Sequence, residues 1–184
     1  MDPIAAELVL AETAATKRRV DGLVRTAMAV PLRLLALAWM VLCPIALLVG
    51  RNHLGPAVGI ALLAVTALAW VRYRRAARER GVRVRLWPWL AVAVIALAGG
   101  AAASRAGTDH GLAWLNIVGP FVINALALMG LAGFVRSRAI GIAAVTMLAI
   151  SFIIAGTLNG DVAVAVQLAA YSAVLTVASA RLAR

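Results

Sequence analysis

Long apolar runs separated by short polar segments dominate the chain from about residue 30 onward. Most runs are close to the ~20 residues that an α-helix needs to cross the hydrocarbon core of a bilayer. Backbone polar groups in hydrocarbon must be satisfied internally, and no run alternates at a period of two as barrel strands do, so we expect helices. The predicted spans occupy about residues 30–50, 56–71, 86–103, 112–135, 139–157 and 162–180.

Residues 1–29 precede the first predicted span and have a different pattern. Ile4, Leu8, Ala11 and Ala15 recur at helical spacing with charged residues between them, and a basic cluster follows toward the membrane end. This pattern predicts a cytoplasmic amphipathic leader helix. Its apolar stripe is mostly alanine, which favours a helix that rests on lipid headgroups over one that docks a protein partner.

The composition agrees with a membrane location. Hydrophobic residues make up 64% of the chain and charged residues 14%, whereas soluble domains are about half apolar and about a quarter charged. The single cysteine, Cys43, excludes an intramolecular disulfide and a cysteine-based metal cluster.

The net charge of +11 comes almost entirely from arginines at the ends of apolar runs. That placement favours anionic lipid headgroups over nucleic acid as the partner of the basic residues. Residues 72–85 form the densest basic segment, and arginines beside membrane spans stay on the cytoplasmic side. The arginines assigned to topology and headgroup contact are Arg72, Arg74, Arg75, Arg78, Arg80, Arg83 and Arg85.

An alternating path of six spans agrees with this charge bias. If the N-terminus is cytoplasmic, the leader, the 72–85 segment, residues 136–138 and the C-terminal tail all lie inside. Arg51 and Arg105 are then the only arginines or lysines in the predicted outer segments. We therefore predict an all-α, polytopic membrane helix bundle with six transmembrane helices. Both termini are cytoplasmic, and the bundle lies in the inner (plasma) membrane.

The residues needed for catalysis are scarce. No acidic residue lies inside a predicted span, and His53 and His110 fall in predicted outer loops. Proton relays need titratable groups within the membrane, and hydrolases need a nucleophile with a base or a metal. The chain also has no nucleotide-binding glycine loop and no metal-binding helix motif. We predict no enzyme activity, no cofactor and no metal site.

A few polar residues lie inside the fourth and sixth predicted spans. One interpretation is a polar cleft between these spans, and the other is hydrogen bonding between helices, worth roughly 0.6 kcal/mol per bond. Pro120 adds a local break, because it removes a backbone donor and frees the carbonyl of residue 116. The candidate cleft residues are Asn116, Asn124, Gln167, Tyr171 and Ser172.

Two segments support a family resemblance. AETAATKRRVDGLV, at residues 11–24, and RRAARERGVRVRLWPW, at residues 74–89, resemble segments of uncharacterised multi-pass membrane proteins of high-GC actinobacteria. In that group a short charged helix precedes the spans, and an Arg-Gly-Val-Arg loop separates helix pairs. The resemblance implies a multi-pass membrane fold and adds no site residues.

Two functions follow from the sequence. The first is a membrane protein that acts through helix contacts with itself, as a homo-oligomer, or with a protein partner. The alternative is a small substrate-binding or permease-type transport subunit that uses the cleft between the fourth and sixth spans.

Overall fold

The structure is a computed structural model that describes residues 3–49, 54–79, 87–158 and 160–183. In this part of the chain 96% of residues are helical and none forms a strand, which confirms the all-α prediction. We number seven α-helices and call the five-residue π-helix between α3 and α4 the π segment. The elements are α1 (Pro3–Val49), α2 (Leu54–Glu79), α3 (Trp87–Val94), the π segment (Ile95–Gly99), α4 (Gly100–Asp109), α5 (Ala113–Val135), α6 (Arg138–Thr157) and α7 (Gly160–Ala183).

Five stretches of the described helices are long and apolar enough to cross a membrane, so the chain has the fold of a helical membrane protein. α2 is not one of the five, and the arginines from Arg72 onward limit its apolar stretch to residues 54–71. The five candidate spans are Met28–Leu48, Leu90–Asp109, Trp114–Val135, Arg138–Thr157 and Gly160–Ala183.

α1 is one continuous helix, so the predicted leader and the first predicted span are not separated. Pro31 lies inside α1. It removes one backbone N–H without ending the helix. At ~1.5 Å per residue α1 is about 70 Å long, more than twice the ~30 Å hydrocarbon core. Its N-terminal part therefore extends beyond the candidate span, and the side chains of residues 10–15 are exposed.

α1 and α7 form the most extensive helix pair of the described bundle. The Ser172 hydroxyl donates to the Ala36 carbonyl at 2.8 Å, and the Cys43 thiol donates to the Ala165 carbonyl at 3.3 Å. Because residue numbers rise along α1 as they fall along α7, the two helices are antiparallel. α7 also packs on α6 and is the most buried of the five candidate spans.

The third predicted span is longer than expected. α3, the π segment and α4 follow one another without a break, so residues 104–109 of the expected loop are helical and only residues 110–112 form the turn. Polar residues suggested a loop here, yet their hydroxyl groups are satisfied by the helices. Thr108 donates to the Ser104 carbonyl at 3.1 Å, and Ser104 donates to Asn116 Oδ1 at 2.7 Å.

The last three helices begin and end within three residues of the predicted spans, because strong turn signals separate them. Between α5 and α6, Arg136 adopts the left-handed conformation with φ of 51°. Ser137 then caps α6, and its side-chain oxygen accepts a hydrogen bond from the Ile140 amide at 3.4 Å. Gly160, at φ of 68°, starts α7; Asn159, the centre of the predicted turn, lies outside the described residues.

The closest backbone approach between α4 and α5 occurs at Gly107. A Cβ atom at this buried position would overlap the backbone nitrogen of Asn116, so only glycine fits. Gly130, in the middle of α5, has no atom within 4 Å of a built Cβ and is exposed. The two glycines therefore form a matched pair in which only one has a packing role.

We expect Gly107→Ala to destabilise the protein by roughly 1–3 kcal/mol, because the added methyl group must push α4 away from α5. Gly130→Ala should be neutral or slightly stabilising, since alanine is favoured over glycine within helices. Thermal unfolding of both purified variants in detergent, followed by circular dichroism, measures the difference. Equal melting temperatures would show that α4 and α5 do not approach this closely.

Candidate functional site

A cavity of about 520 Å³ lies among α1, α2, α5, α7 and the helical stretch formed by the π segment and α4. Its polar lining comes from α4 and α5 and consists of Ser104, Arg105, Thr108, Asn116 and Asn124. Its apolar lining includes Trp39 from α1, Leu62 from α2 and Leu168 from α7. The cavity therefore combines an apolar surface with a few polar groups, the usual composition of a small-molecule site.

Two irregular helix segments face each other in the cavity wall. The π segment contributes Ala96 and Leu97, and Pro120 interrupts the hydrogen bonding of α5 on the other side. A built Cβ on Gly100 would lie 3.7 Å from Pro120, so the two backbones are close. Single π-helical turns are frequent at functional sites. Because proline has no N–H, the Asn116 carbonyl also receives no helical hydrogen bond from residue 120.

The two asparagines of α5 keep part of their hydrogen-bonding capacity. Asn116 Oδ1 accepts from the Ser104 hydroxyl at 2.7 Å, and no described residue accepts from its Nδ2. Asn124 Nδ2 donates to the Pro120 carbonyl at 2.8 Å, and no described residue donates to its Oδ1. An amide has two donors and two acceptor lone pairs, so each side chain can bond a ligand as well as the protein.

A second group of polar side chains is buried between α6 and α7 and contacts α5. Gln167 Nε2 donates to the Ser151 hydroxyl at 2.7 Å, and the Ser151 and Tyr171 hydroxyls lie 2.5 Å apart. The Tyr171 hydroxyl is also 3.2 Å from the Phe121 carbonyl, and Ser151 is 2.9 Å from the Met147 carbonyl. Each hydroxyl has one proton, so two arrangements exist: Tyr171 donates to Ser151, or Ser151 donates to Tyr171. We call Ser151, Gln167 and Tyr171 the buried network.

The five residues predicted for one cleft are divided between different surroundings. Asn116 and Asn124 line the cavity. Gln167 and Tyr171 belong to the buried network, and Ser172 joins α7 to α1 through the Ala36 carbonyl. Sequence reasoning missed Ser151, which is fully buried. Its only signal was a hydroxyl group in a mostly apolar fifth span, which it shares with Thr146 and Thr157.

Phe121 separates the cavity from the buried network. Its side chain lines the cavity, and its ring packs edge-on against Tyr171 with 5.6 Å between ring centroids. Two buried atoms nearby have no hydrogen-bond partner among the described residues: Trp39 Nε1 and Gln167 Oε1. Trp39 lies in α1 between Ala36 and Cys43, the two positions that bond α7.

The arginines of the predicted topology segment do not belong to the cavity. Arg72, Arg74, Arg75 and Arg78 are exposed at the C-terminal end of α2. Arg80, Arg83 and Arg85 lie outside the described residues. The arginine that lines the cavity is Arg105, which the sequence analysis placed in an outer loop. The sequence signal for this position was the spacing of Thr108, which follows Arg105 by three residues and Ser104 by four, as on one face of a helix.

Fold and cavity together define a membrane-embedded helix bundle with a cavity between its helices. Comparison with models of known families, with curated proteins and with solved structures finds no match to this chain. Within the described residues, no group of three or more histidine, cysteine or acidic side chains is placed to hold a metal ion.

We expect Ser151→Ala to lower the free energy of unfolding by about 1 kcal/mol, because it removes the group that joins Gln167 to Tyr171. Thr146→Ala, on the same helix, is the control. The exposed Thr146 hydroxyl bonds only the Ile142 carbonyl of its own helix, at 2.9 Å. Thermal unfolding in detergent should separate the two variants. If Thr146→Ala is as destabilising as Ser151→Ala, the buried network contributes nothing beyond a local helix bond.

Proposed function

We propose that the protein is a six-span inner-membrane protein, with both termini cytoplasmic, that binds a small molecule in its interhelical cavity. The cavity supports the binding proposal. Its volume of about 520 Å³ falls within the roughly 300–1,000 Å³ typical of ligand pockets. Its wall offers amide atoms of Asn116 and Asn124 that no described residue uses.

The length of α2 supports a sixth span. The apolar stretch of α2 at residues 54–71 would cover about 27 Å, close to the ~30 Å core. Arg72 and Arg74 follow directly, and long arginine side chains can extend from within the bilayer edge to the headgroups.

The arginine positions support the orientation. If the helices alternate, Arg78, Arg138 and Arg181 lie at one end of the bundle. Of the arginines in the described residues, Arg105 alone lies at the other end. The basic end is then cytoplasmic by the positive-inside bias.

The orientation can be measured by cysteine labelling in a Cys43→Ala background. Asp109→Cys, at the exposed end of α4, should react with a membrane-impermeant thiol reagent added to intact cells. Arg78→Cys, at the exposed end of α2, should react only after the membrane is permeabilised. Labelling of Arg78→Cys in intact cells would contradict the proposed six-span path.

Binding, rather than catalysis, is the function that the cavity chemistry favours. Among the described residues, the polar groups that line it are two hydroxyls, two amides, one guanidinium and the indole N–H of Trp39. None of these is a general base near neutral pH, and activation of a hydroxyl nucleophile requires one. Of the two functions that the sequence left open, a substrate-binding or transport subunit therefore has the better structural support.

Contact with a protein partner or a second copy is the second candidate function. The N-terminal part of α1 extends beyond the candidate span that begins at Met28. Leu10 on this extension is 68% exposed, and Glu7 is exposed as well. Contact of the extension with anionic headgroups, as the sequence analysis predicted, is compatible with either function.

We expect Leu62→Trp to abolish ligand binding because the indole would fill the cavity. Leu63→Trp is the matched control, since Leu63 is 52% exposed and does not line the cavity. The measurement is ligand-induced thermal stabilisation with a panel of amino acids, sugars, nucleosides and fatty acids. At 100 times its Kd, a ligand adds about 2.7 kcal/mol to the stability of the protein.

The proposal requires at least one compound that stabilises the wild type and Leu63→Trp but not Leu62→Trp. If no compound stabilises any of the three proteins, or if stabilisation is unchanged in Leu62→Trp, the cavity is not a binding site. Copurification of a protein with the wild type, lost when residues 3–25 are removed, would then favour the second candidate.

A further inference from the structure

The polar groups of the cavity are concentrated at one end. Along α4, Arg105 and Thr108 lie toward the end of the bundle, whereas Leu97 lies about two turns deeper in the π segment. α5 follows the same order because it is antiparallel to α4. Asn116 bonds Ser104 near the polar end, and Phe121 lies deeper.

Asn124 is an exception to this order, because it lies at the deep end beyond Phe121, and the Trp39 indole on α1, unpartnered among the described residues, also lines the cavity. Asn124 Nδ2 donates to the Pro120 carbonyl beside the break in α5, so Asn124 Oδ1 is the atom that remains available as an acceptor. The other side chains around the deep end include Ala96, Leu97 and Leu168, which offer no hydrogen bonds. A ligand in this cavity therefore meets polar groups at one end and a mainly apolar surface at the other.

Arg105 adds a positive charge to the polar end. It is exposed at the cavity wall and forms no ion pair with any described residue. Asp109, one turn further along α4, is exposed as well and does not pair with it. Guanidinium groups bind carboxylates and phosphates through paired N–H donors. The Asn116 Nδ2 group lies at the same end and has no described acceptor, so it can donate a further hydrogen bond to an anion. The Ser104 and Thr108 hydroxyl protons are already donated within the protein.

The dimensions of the cavity fit one hydrocarbon chain. The lining extends from Ala96 to Thr108, which at about 1.5 Å per residue is roughly 18 Å along the helix. Half of a hydrocarbon core is about 15 Å, which is the depth of one leaflet of acyl chains. The lining is therefore about as long as one leaflet of acyl chains is deep. The volume of about 520 Å³ is within the roughly 300–1,000 Å³ of ligand pockets.

We infer that the cavity binds a single-chain anionic amphiphile, with its carboxylate or phosphate at Arg105 and Asn116 and its chain along Leu97 and Phe121. This inference rests on the proposed function and names the ligand class of the same cavity. A small polar solute would leave the apolar end without a partner. A free inorganic anion would meet only one guanidinium at an exposed position.

The probes are dodecanoate, dodecyl phosphate, dodecanol, acetate and inorganic phosphate. The protein is held in nanodiscs, and bound probe is counted by native mass spectrometry after release. Dodecanoate and dodecyl phosphate should bind the wild type more tightly than dodecanol, whereas acetate and inorganic phosphate should not bind. The tighter of the two anionic probes identifies the head group.

Arg105→Gln should weaken dodecanoate binding by roughly 10-fold or more, because a charge-assisted hydrogen bond is lost. The same substitution should change the affinity for dodecanol by less than about twofold, because dodecanol has no negative charge. Arg138→Gln is the control, since Arg138 is exposed at the start of α6 and does not line the cavity. Both substitutions remove one exposed arginine, so a general effect of net charge would appear in both. Leu62→Trp should abolish binding of every long-chain probe.

Three results would overturn the inference: dodecanol binds as tightly as dodecanoate, Arg105→Gln and Arg138→Gln behave alike, or inorganic phosphate alone binds and depends on Arg105. Each leaves the binding proposal intact if Leu62→Trp still blocks the ligand found. Binding of sugars or amino acids but no amphiphile, blocked by Leu62→Trp, would overturn the ligand class in the same way. If no probe or panel compound shows binding that Leu62→Trp blocks, both proposals fail.

Discussion

The absence of water from the hydrocarbon core is the constraint on which this structure depends. Each peptide group there needs a hydrogen-bond partner inside the protein, and helices supply one within the same segment. The cavity lies where this bonding departs from the regular pattern. Pro120 leaves the Asn116 carbonyl without a helical donor, and the π segment across from it changes the helical register. Both departures therefore lie in the wall of the cavity.

Polar side chains in the bundle serve two different purposes. Ser172 and Cys43 bond backbone carbonyls of the neighbouring helix and fix the register between α1 and α7. Ser151, Gln167 and Tyr171 bond one another and are buried. The cavity residues differ because each asparagine uses only part of its amide within the protein. Unused polar capacity next to open space distinguishes a candidate site from hydrogen bonds between helices.

The accuracy of the sequence analysis varied along the chain for identifiable reasons. α5, α6 and α7 match the predicted spans closely because arginines and a tight turn mark their ends. The polar residues of the third predicted loop were misleading. Arg105 lies on α4 rather than in a loop, because the hydroxyl groups beside it bond to helix groups.

The sequence by itself determined that the chain is helical and membrane-embedded, where its last three helices end, and that its arginines are concentrated beside particular runs. Only the tertiary structure decided which helices are neighbours, that Asn116 and Asn124 border a cavity, and that Ser151 joins Gln167 to Tyr171. The reason is physical. In a bilayer the lipid-facing and protein-facing sides of a helix are both apolar, so hydrophobicity identifies a span without revealing which face packs inward.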